Sequence, residues 1–328
     1  MQVYSQHARD ADRGVAINAA TPEIDNICHE IKAAVAGFGT DEGRLNRALG
    51  ARTLAERYLV SVRYPQIHGK SLVDELASET SGDYRRLLLL LAQPLADAEA
   101  TIIRDATKGA GTNEDLLFPV FGGRTSQEIS ILKKAFFKKY GQDLVVTVAD
   151  DVGGDLKKHY LAILNALTQP YDPAVHNQHK AEELAEVIYK AGEGKWGTDE
   201  TAFINALVSI PPEFLRAVDA AYVAKHKNNL ARAIEKEFTG HTERALMYHV
   251  NIILNPIETV VDQFERTMKG IGTDEYGLGA AVVRYQSILK EVAPAYKAKY
   301  GKSLRDRIHD ETGGDFQKLL LIVLEHSI

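Results

Sequence analysis

Only one cysteine, Cys28, occurs in 328 residues, so the chain can form no internal disulfide. Such usage fits a reducing compartment. Basic residues are outnumbered: 39 Lys and Arg against 45 Asp and Glu leave a formal charge of −6. The isoelectric point lies near 6.0. An acidic chain lacks the basic face that nucleic acid requires. It also lacks the clustered Lys and Arg that draw a protein straight to anionic lipid. Long apolar runs are missing too. The strongest, Leu87 to Ala92, falls far short of the ~20 residues of a spanning helix. Met1 to Ala20 is polar and charged, without the apolar core or cleavage pattern of a secretion signal. A soluble protein is expected, and any phosphate it meets must be approached through a positive intermediary.

What the chain does contain is a signature repeated four times. Gly37-Phe38-Gly39-Thr40-Asp41-Glu42 returns as Gly109-Ala110-Gly111-Thr112-Asn113-Glu114, as Lys195-Trp196-Gly197-Thr198-Asp199-Glu200 and as Gly270-Ile271-Gly272-Thr273-Asp274-Glu275. An acid follows in register. It lies 40 residues beyond the second glycine at Glu79, Asp151 and Glu237, and 39 beyond it at Glu311. The signatures are spaced by 72, 86 and 75 residues. Those intervals exceed the roughly 20–50 residues of short solenoid units, so four domain-sized modules are expected.

Each module reads as helices. In the first, Leu45, Ala48 and Leu49, then Leu54, Tyr58, Leu59 and Val62, then Leu72, Val73 and Leu76, then Tyr84, Leu87, Leu88 and Leu91 recur at helical spacing. Ala98, Ile102, Ile103 and Ala106 continue the pattern into the next signature. Strand-like alternation is absent over useful lengths. Gly-x-Gly-Thr places the threonine to cap the helix that follows, with acids in its first turn. The modules span 22–94, 95–170, 180–256 and 257–328. A tail of 1–21 shows no readable fold, and a linker at 171–179, within the longer stretch Gln169 to Lys180, reads as extended because Pro170 and Pro173 flank Tyr171 and Asp172.

The signature suits calcium. The ion takes about 6–8 oxygens and accepts backbone carbonyls. Gly-x-Gly turns several carbonyls to one side, and a carboxylate adds charge and two oxygens. Each acid lies in its own glycine-containing turn, such as Glu79-Thr80-Ser81-Gly82 and Glu311-Thr312-Gly313-Gly314. Antiparallel helix pairs would bring both turns to one end of a module. Three carbonyls and one bidentate carboxylate leave the shell open to water or a lipid phosphate.

On these motifs the chain resembles the annexin family over residues 22–328. Ala191-Gly192-Glu193-Gly194-Lys195-Trp196-Gly197-Thr198-Asp199-Glu200 is similar to the third repeats of animal annexins. The resemblance implies an all-α fold of four five-helix repeats, packed as a curved disc with the loops on its convex face. It implies calcium ligands from the carbonyls of Val35, Gly37 and Gly39 with Glu79; Thr107, Gly109 and Gly111 with Asp151; Gly192, Lys195 and Gly197 with Glu237; and Met268, Gly270 and Gly272 with Glu311. Accessory sites would use Thr40 with Glu42, Thr112 with Glu114, Thr198 with Glu200 and Thr273 with Glu275. Departures are visible. Val35-Ala36 stands where the family usually has Met-Lys, and the fourth repeat is one residue short with Gly277 and Gly279 in its next helix. Arg52, Arg124 and Arg284 have Ile210 at the third-repeat equivalent, which argues against a fully charged central channel.

The residue between the loop glycines should point outward as a membrane contact: Phe38, Ala110, Trp196 and Ile271. Trp196 is the only tryptophan, and an aromatic at a loop tip suits the headgroup zone. The expected function is calcium-dependent, reversible binding to anionic phospholipid from the cytoplasm, serving membrane organisation, trafficking or repair. Lateral self-association on membranes and a protein partner at the tail are further expectations of the resemblance. The alternative is a calcium-independent helical scaffold for protein partners. No enzyme is expected. Gly69-Lys70-Ser71 and Gly301-Lys302-Ser303 lack the leading glycine of a phosphate loop, with Tyr64 and Tyr296 in its place. His176 and His179 read as solvated linker residues rather than metal ligands.

Overall fold

The computed structural model describes residues 3–37, 39–109 and 111–328, and every regular element among them is helical. After a short α1 (Gln6–Asp12), the first repeat comprises α2 (Pro22–Ala34), α3 (Glu42–Leu45) continued by a π turn at Asn46–Gly50, α4 (Leu54–His68), α5 (Leu72–Glu79) and α6 (Gly82–Leu91). The second comprises α7 (Leu95–Ala106), α8 (Glu114–Phe121), α9 (Ser126–Tyr140), α10 (Leu144–Asp151) and α11 (Gly154–Asn165). The third holds α12 (Gln178–Ala191), α13 (Glu200–Val208), α14 (Pro212–His226), α15 (Leu230–Glu237) and α16 (Gly240–Leu254). The fourth holds α17 (Pro256–Met268), α18 (Glu275–Arg284), α19 (Leu289–Tyr300), α20 (Leu304–Glu311) and α21 (Gly314–Ser327).

Local chemistry sets these boundaries. Thr53 and Thr125 open α4 and α9 with capping boxes, each trading bonds with a glutamate three residues on, Glu56 or Glu128. Gly69, Gly141 and Gly301 end α4, α9 and α19 in the left-handed conformation. At the equivalent end of α14 that conformation falls on Lys227, with φ 67°. The Gly-Lys-Ser segments are helix connectors, as expected: Ser71 and Ser303 accept from the backbone N–H of Asp74 and Asp306 at 3.1 and 3.0 Å. Gly277 and Gly279 do not break α18, whose first turn is held by Asp274 accepting from the Gly277 N–H at 2.8 Å.

The chain divides into two compact bodies, one of residues 3–101 with 260–328, the other of residues 102–259. Each pairs two repeats around a shared core. In the first body Leu45, Leu49, Tyr64, Leu76 and Leu88 are buried with Leu319, Leu320 and Val323. Burying each such side chain contributes about 1.5–3 kcal/mol. The two repeats approach so closely that a Cβ on Gly50 would lie 2.8 Å from Leu319 Cδ1. In the second body Gly122 plays the same part, with Tyr248 Cδ1 at 2.6 Å.

Two expectations need correction. The tail is folded: Ser5 caps α1, and Val3 and Tyr4 are buried. The Tyr4 hydroxyl donates to Glu99 Oε2 at 2.5 Å, while Glu99 Oε1 lies 3.3 Å from Arg284 Nε. The linker is not extended, because Pro173–Val175 turn and the His176 N–H reaches the Asp172 carbonyl at 2.7 Å. His176 is half-exposed in this turn, its ring stacked 5.5 Å from Tyr171 and tilted against Phe214 at 5.0 Å.

Candidate metal centres at the repeated loops

Each signature loop is closed by one backbone bond to the helix before it. The N–H of Asp41, Asn113, Asp199 and Asp274 donates to the carbonyl of Ala34, Ala106, Ala191 and Thr267 at 2.8, 2.9, 2.7 and 2.8 Å. That bond spans six residues in loops one, two and four, and seven in loop three. The paired glycines are left-handed: 106° and 88° at Gly37 and Gly39, 114° and 91° at Gly109 and Gly111, 117° and 87° at Gly270 and Gly272. No heavy atom lies within 4 Å of where their Cβ atoms would be, so the requirement is conformational and the loops face open space. Gly197 keeps φ 74°, while Lys195 is not left-handed; loop three reaches the same closure by its extra residue.

The threonine does not cap the next helix. Asp41, Asp199 and Asp274 do that, accepting from backbone N–H groups one turn on. The threonine instead reaches across to the second turn. Thr40, Thr112 and Thr273 Oγ1 donate to the carbonyls of Glu79, Asp151 and Glu311 at 3.1, 3.1 and 3.0 Å. Thr112 and Thr198 also donate to the carboxylates of Asp151 and Glu237, and Thr273 lies 3.4 Å from Glu311 Oε2. All four distant acids are therefore brought to their loops.

These acids are placed against local electrostatics. Glu79, Asp151, Glu237 and Glu311 are the last residues of α5, α10, α15 and α20. A helix C-terminus carries partial negative charge and favours cations. Ending four helices on a carboxylate, beside loop carbonyls of the same sign, makes four sites that a cation would relieve. The donor set of backbone carbonyls with a single carboxylate suits a hard ion with oxygen preference. Among the described residues no group of three or more His, Cys, Asp and Glu side chains is arranged to hold a metal; each loop contributes one carboxylate.

The loops differ in detail. Glu79 is exposed, its carboxylate meeting Ser78 Oγ at 3.4 Å. Glu237 packs on loop three, where a Cβ on Gly192 would lie 3.0 Å from its Cγ and 3.2 Å from its Cδ, so a larger residue would press the carboxylate side chain aside. That loop is also anchored from below through Glu193, which accepts from Tyr222 Oη at 2.8 Å, Asn228 Nδ2 at 2.9 Å and Lys236 Nζ at 2.6 Å. Burial acts to raise the Glu193 pKa, but the bonds from Lys236 and Tyr222 outweigh it and hold the group below the usual carboxylate value. The sequence pattern did not reveal this anchor. In loop four Arg307 intervenes, donating from Nη1 to Glu311 Oε1 at 2.8 Å and from Nη2 to the Met268 carbonyl at 2.6 Å.

The glutamates that follow the threonines diverge between the two bodies. Glu42 and Glu275 line an open acidic cleft with Glu79 and Glu311. Glu114 instead lies 3.7 Å from His241 Nδ1, and Glu200 lies 3.9 Å from Lys158 Nζ. Among the loop-tip residues, Trp196 and Ile271 are fully exposed; Phe38 and Ala110 lie outside the described residues. Arg124 and Arg284 are buried and Ile210 packs in the core. No helix among the described residues is long and apolar enough to cross a membrane.

Four helical modules, each joining a glycine turn to a helix-end acid, define a repeat protein with a recurrent loop-and-acid motif. The model of the annexin family matches residues 27–91, 96–163, 183–248 and 260–323. The chain belongs to the annexin family. It is 32% identical to human (Homo sapiens) annexin A3 over 302 residues, covering 92% of each chain. It is 33% identical to mouse (Mus musculus) annexin A13 over 303 residues, covering 92% of this chain and 95% of that one. Among solved structures, annexin III superposes with a TM-score of 0.84 at 31% identity, covering 93% of this chain and 95% of that one. Chicken annexin V gives a TM-score of 0.77 at 28% identity over 94% and 97% of the two chains. Annexins are non-enzymatic, and membership implies the family's general property of calcium-dependent phospholipid binding.

Proposed function

We propose that this chain attaches reversibly to anionic phospholipid through calcium ions held at its first three signature loops. The ligands would be the carbonyls of Val35, Gly37 and Gly39 with Glu79, of Thr107, Gly109 and Gly111 with Asp151, and of Gly192, Lys195 and Gly197 with Glu237. The repeat boundaries at 22–94, 95–170, 180–256 and 257–328 follow from the same reading. The observation that carries it is the pairing of each loop threonine with an acid 38 or 39 residues away at a helix C-terminus. An ion with one carboxylate keeps net positive charge and open coordination positions, so a lipid phosphate completes the shell. The bridge also resolves the charge problem of an acidic protein at an acidic surface.

Single loops of this kind bind calcium weakly, on the order of 10⁻⁴ M or poorer. Several acting together on one membrane multiply the effective affinity. Trp196 would enter the headgroup zone beside the ion of loop three. Attachment from the cytoplasm, governed by calcium, suits a role in membrane organisation, trafficking or repair.

Cosedimentation with phosphatidylserine vesicles tests the reading. Binding should require calcium, reverse with chelator and fail on phosphatidylcholine alone. Glu237→Gln should raise the calcium needed for half-maximal binding while helical content stays constant. Sedimentation indifferent to chelator would overturn the reading.

A further inference from the structure

We propose that the fourth loop is not a calcium site, because Arg307 is built into it as a resident cation. The proposal rests on the calcium reading of the other loops. In that reading the ion at each loop is held by a first-position carbonyl and a helix-end carboxylate. In the fourth repeat those groups are Met268 O and Glu311, and the Arg307 guanidinium donates to both, at 2.6 and 2.8 Å. One planar fork thus joins the same two ligands that calcium would join elsewhere. Bonds between a guanidinium and a carboxylate are charge-assisted and directional.

The guanidinium is also held from behind. Its Nη2 lies 3.7 Å from Glu265 Oε1, and the other oxygen of Glu265 accepts from the Tyr296 hydroxyl. Arg307 lies one helical turn before Glu311 on α20, so the helix itself aims it at the loop. The residues at that place in the other repeats are Glu75, Thr147 and Ala233, none of which carries a positive charge. The substitution is specific to the fourth repeat, as is the one-residue shortening between its loop and its acid. Calcium entering loop four would have to expel an arginine from two short hydrogen bonds, leaving its charge beside the ion. Arg307 therefore satisfies the helix-end acid permanently, and the fourth loop keeps its closed form, with Ile271 exposed, at every calcium concentration.

The test counts bound calcium by equilibrium dialysis against ⁴⁵Ca²⁺ in the presence of phosphatidylserine vesicles, using the full chain and four variants. Arg307→Met should bind one more calcium per chain than the unaltered protein. Glu311→Gln should leave the count of the unaltered protein unchanged, yet remove the additional ion from Arg307→Met in the double variant. Thermal unfolding in chelator provides a second readout: Glu311→Gln should lower the midpoint without calcium, because the Arg307 bonds are lost. Loss of one calcium on Glu311→Gln alone would overturn the proposal, and that variant decides the matter even if Arg307→Met folds poorly. A folded Arg307→Met that gains no calcium would also overturn it. Glu237→Gln separates the two readings. If it lowers the count while Arg307→Met raises nothing, only the arginine proposal fails; if no variant binds calcium, both fail.

Discussion

Thr198 Oγ1 donates directly to the carboxylate of Glu237 across 39 residues of chain. The bond joins the turn before α13 to the last residue of α15, so one side chain measures the gap between the two halves of a candidate metal centre. It does so while Glu237 packs against the bare Cα of Gly192.

Replacing Thr198 with Val keeps the shape and removes the hydroxyl. Hydrogen bonds to charged groups are worth about 1.5–3 kcal/mol. The variant should need about tenfold more calcium for half-maximal vesicle binding, measured by cosedimentation, with far-UV circular dichroism unchanged.

Trp196, the only tryptophan, stands fully exposed at the tip of loop three. Its fluorescence should shift to the blue only when calcium and phosphatidylserine vesicles are both present. Calcium alone or vesicles alone should leave it unchanged. Trp196→Ala should weaken vesicle binding by about 2 kcal/mol, the value of burying a large apolar side chain.

Acid should destabilise the body of residues 102–259 through two imidazoles. His159 and His249 are buried with ring centroids 5.6 Å apart. Burial pushes the His249 pKa down to about 4, and burial with the neighbouring His249 pushes His159 down as well. The unfolded chain binds these protons near pH 6.5. The stabilisation is thus fully present above that pH and is lost as pH falls from 6.5 towards 4, with about 3 kcal/mol at stake for His249. Urea unfolding at pH 7.5 and 5 should show the decline, and His249→Gln should reduce it.

Tyr4 ties the tail to a buried charge. Removing its hydroxyl by Tyr4→Phe leaves Glu99 Oε2 without that donor at a site of zero exposure. The cost should be about 1–3 kcal/mol in urea unfolding. Calcium-dependent vesicle binding should be unaffected, since neither Tyr4 nor Glu99 belongs to a signature loop.

Much of this was legible in the chain. The Gly-x-Gly-Thr segments and their registered acids located the loops, and 3,4 spacing of residues such as Leu45 with Leu49 and Leu87 with Leu91 located the helices. The role of the threonines was misread because Thr40 and Asp41 are both good caps, and spacing cannot say which begins the helix. Backbone geometry decides it: Asp41, with φ −84° and ψ 86°, is the last residue outside α3. The folded tail was hidden because Tyr4 meets its partner 95 residues away, a pairing that no local pattern encodes. Arg307 carried a weak sign, an arginine one turn before an acid. Its bond to Met268 depends on tertiary placement.

The backbone bonds that close the four loops, from Asp41, Asn113, Asp199 and Asp274 to the helices before them, use protein atoms alone. On the proposed calcium reading, a divalent ion arriving at loops one to three would meet turns already closed and would not first have to nucleate them. The speed with which such a chain answers a pulse of calcium should follow ion diffusion and shedding of the ion's water, with little delay from backbone reorganisation.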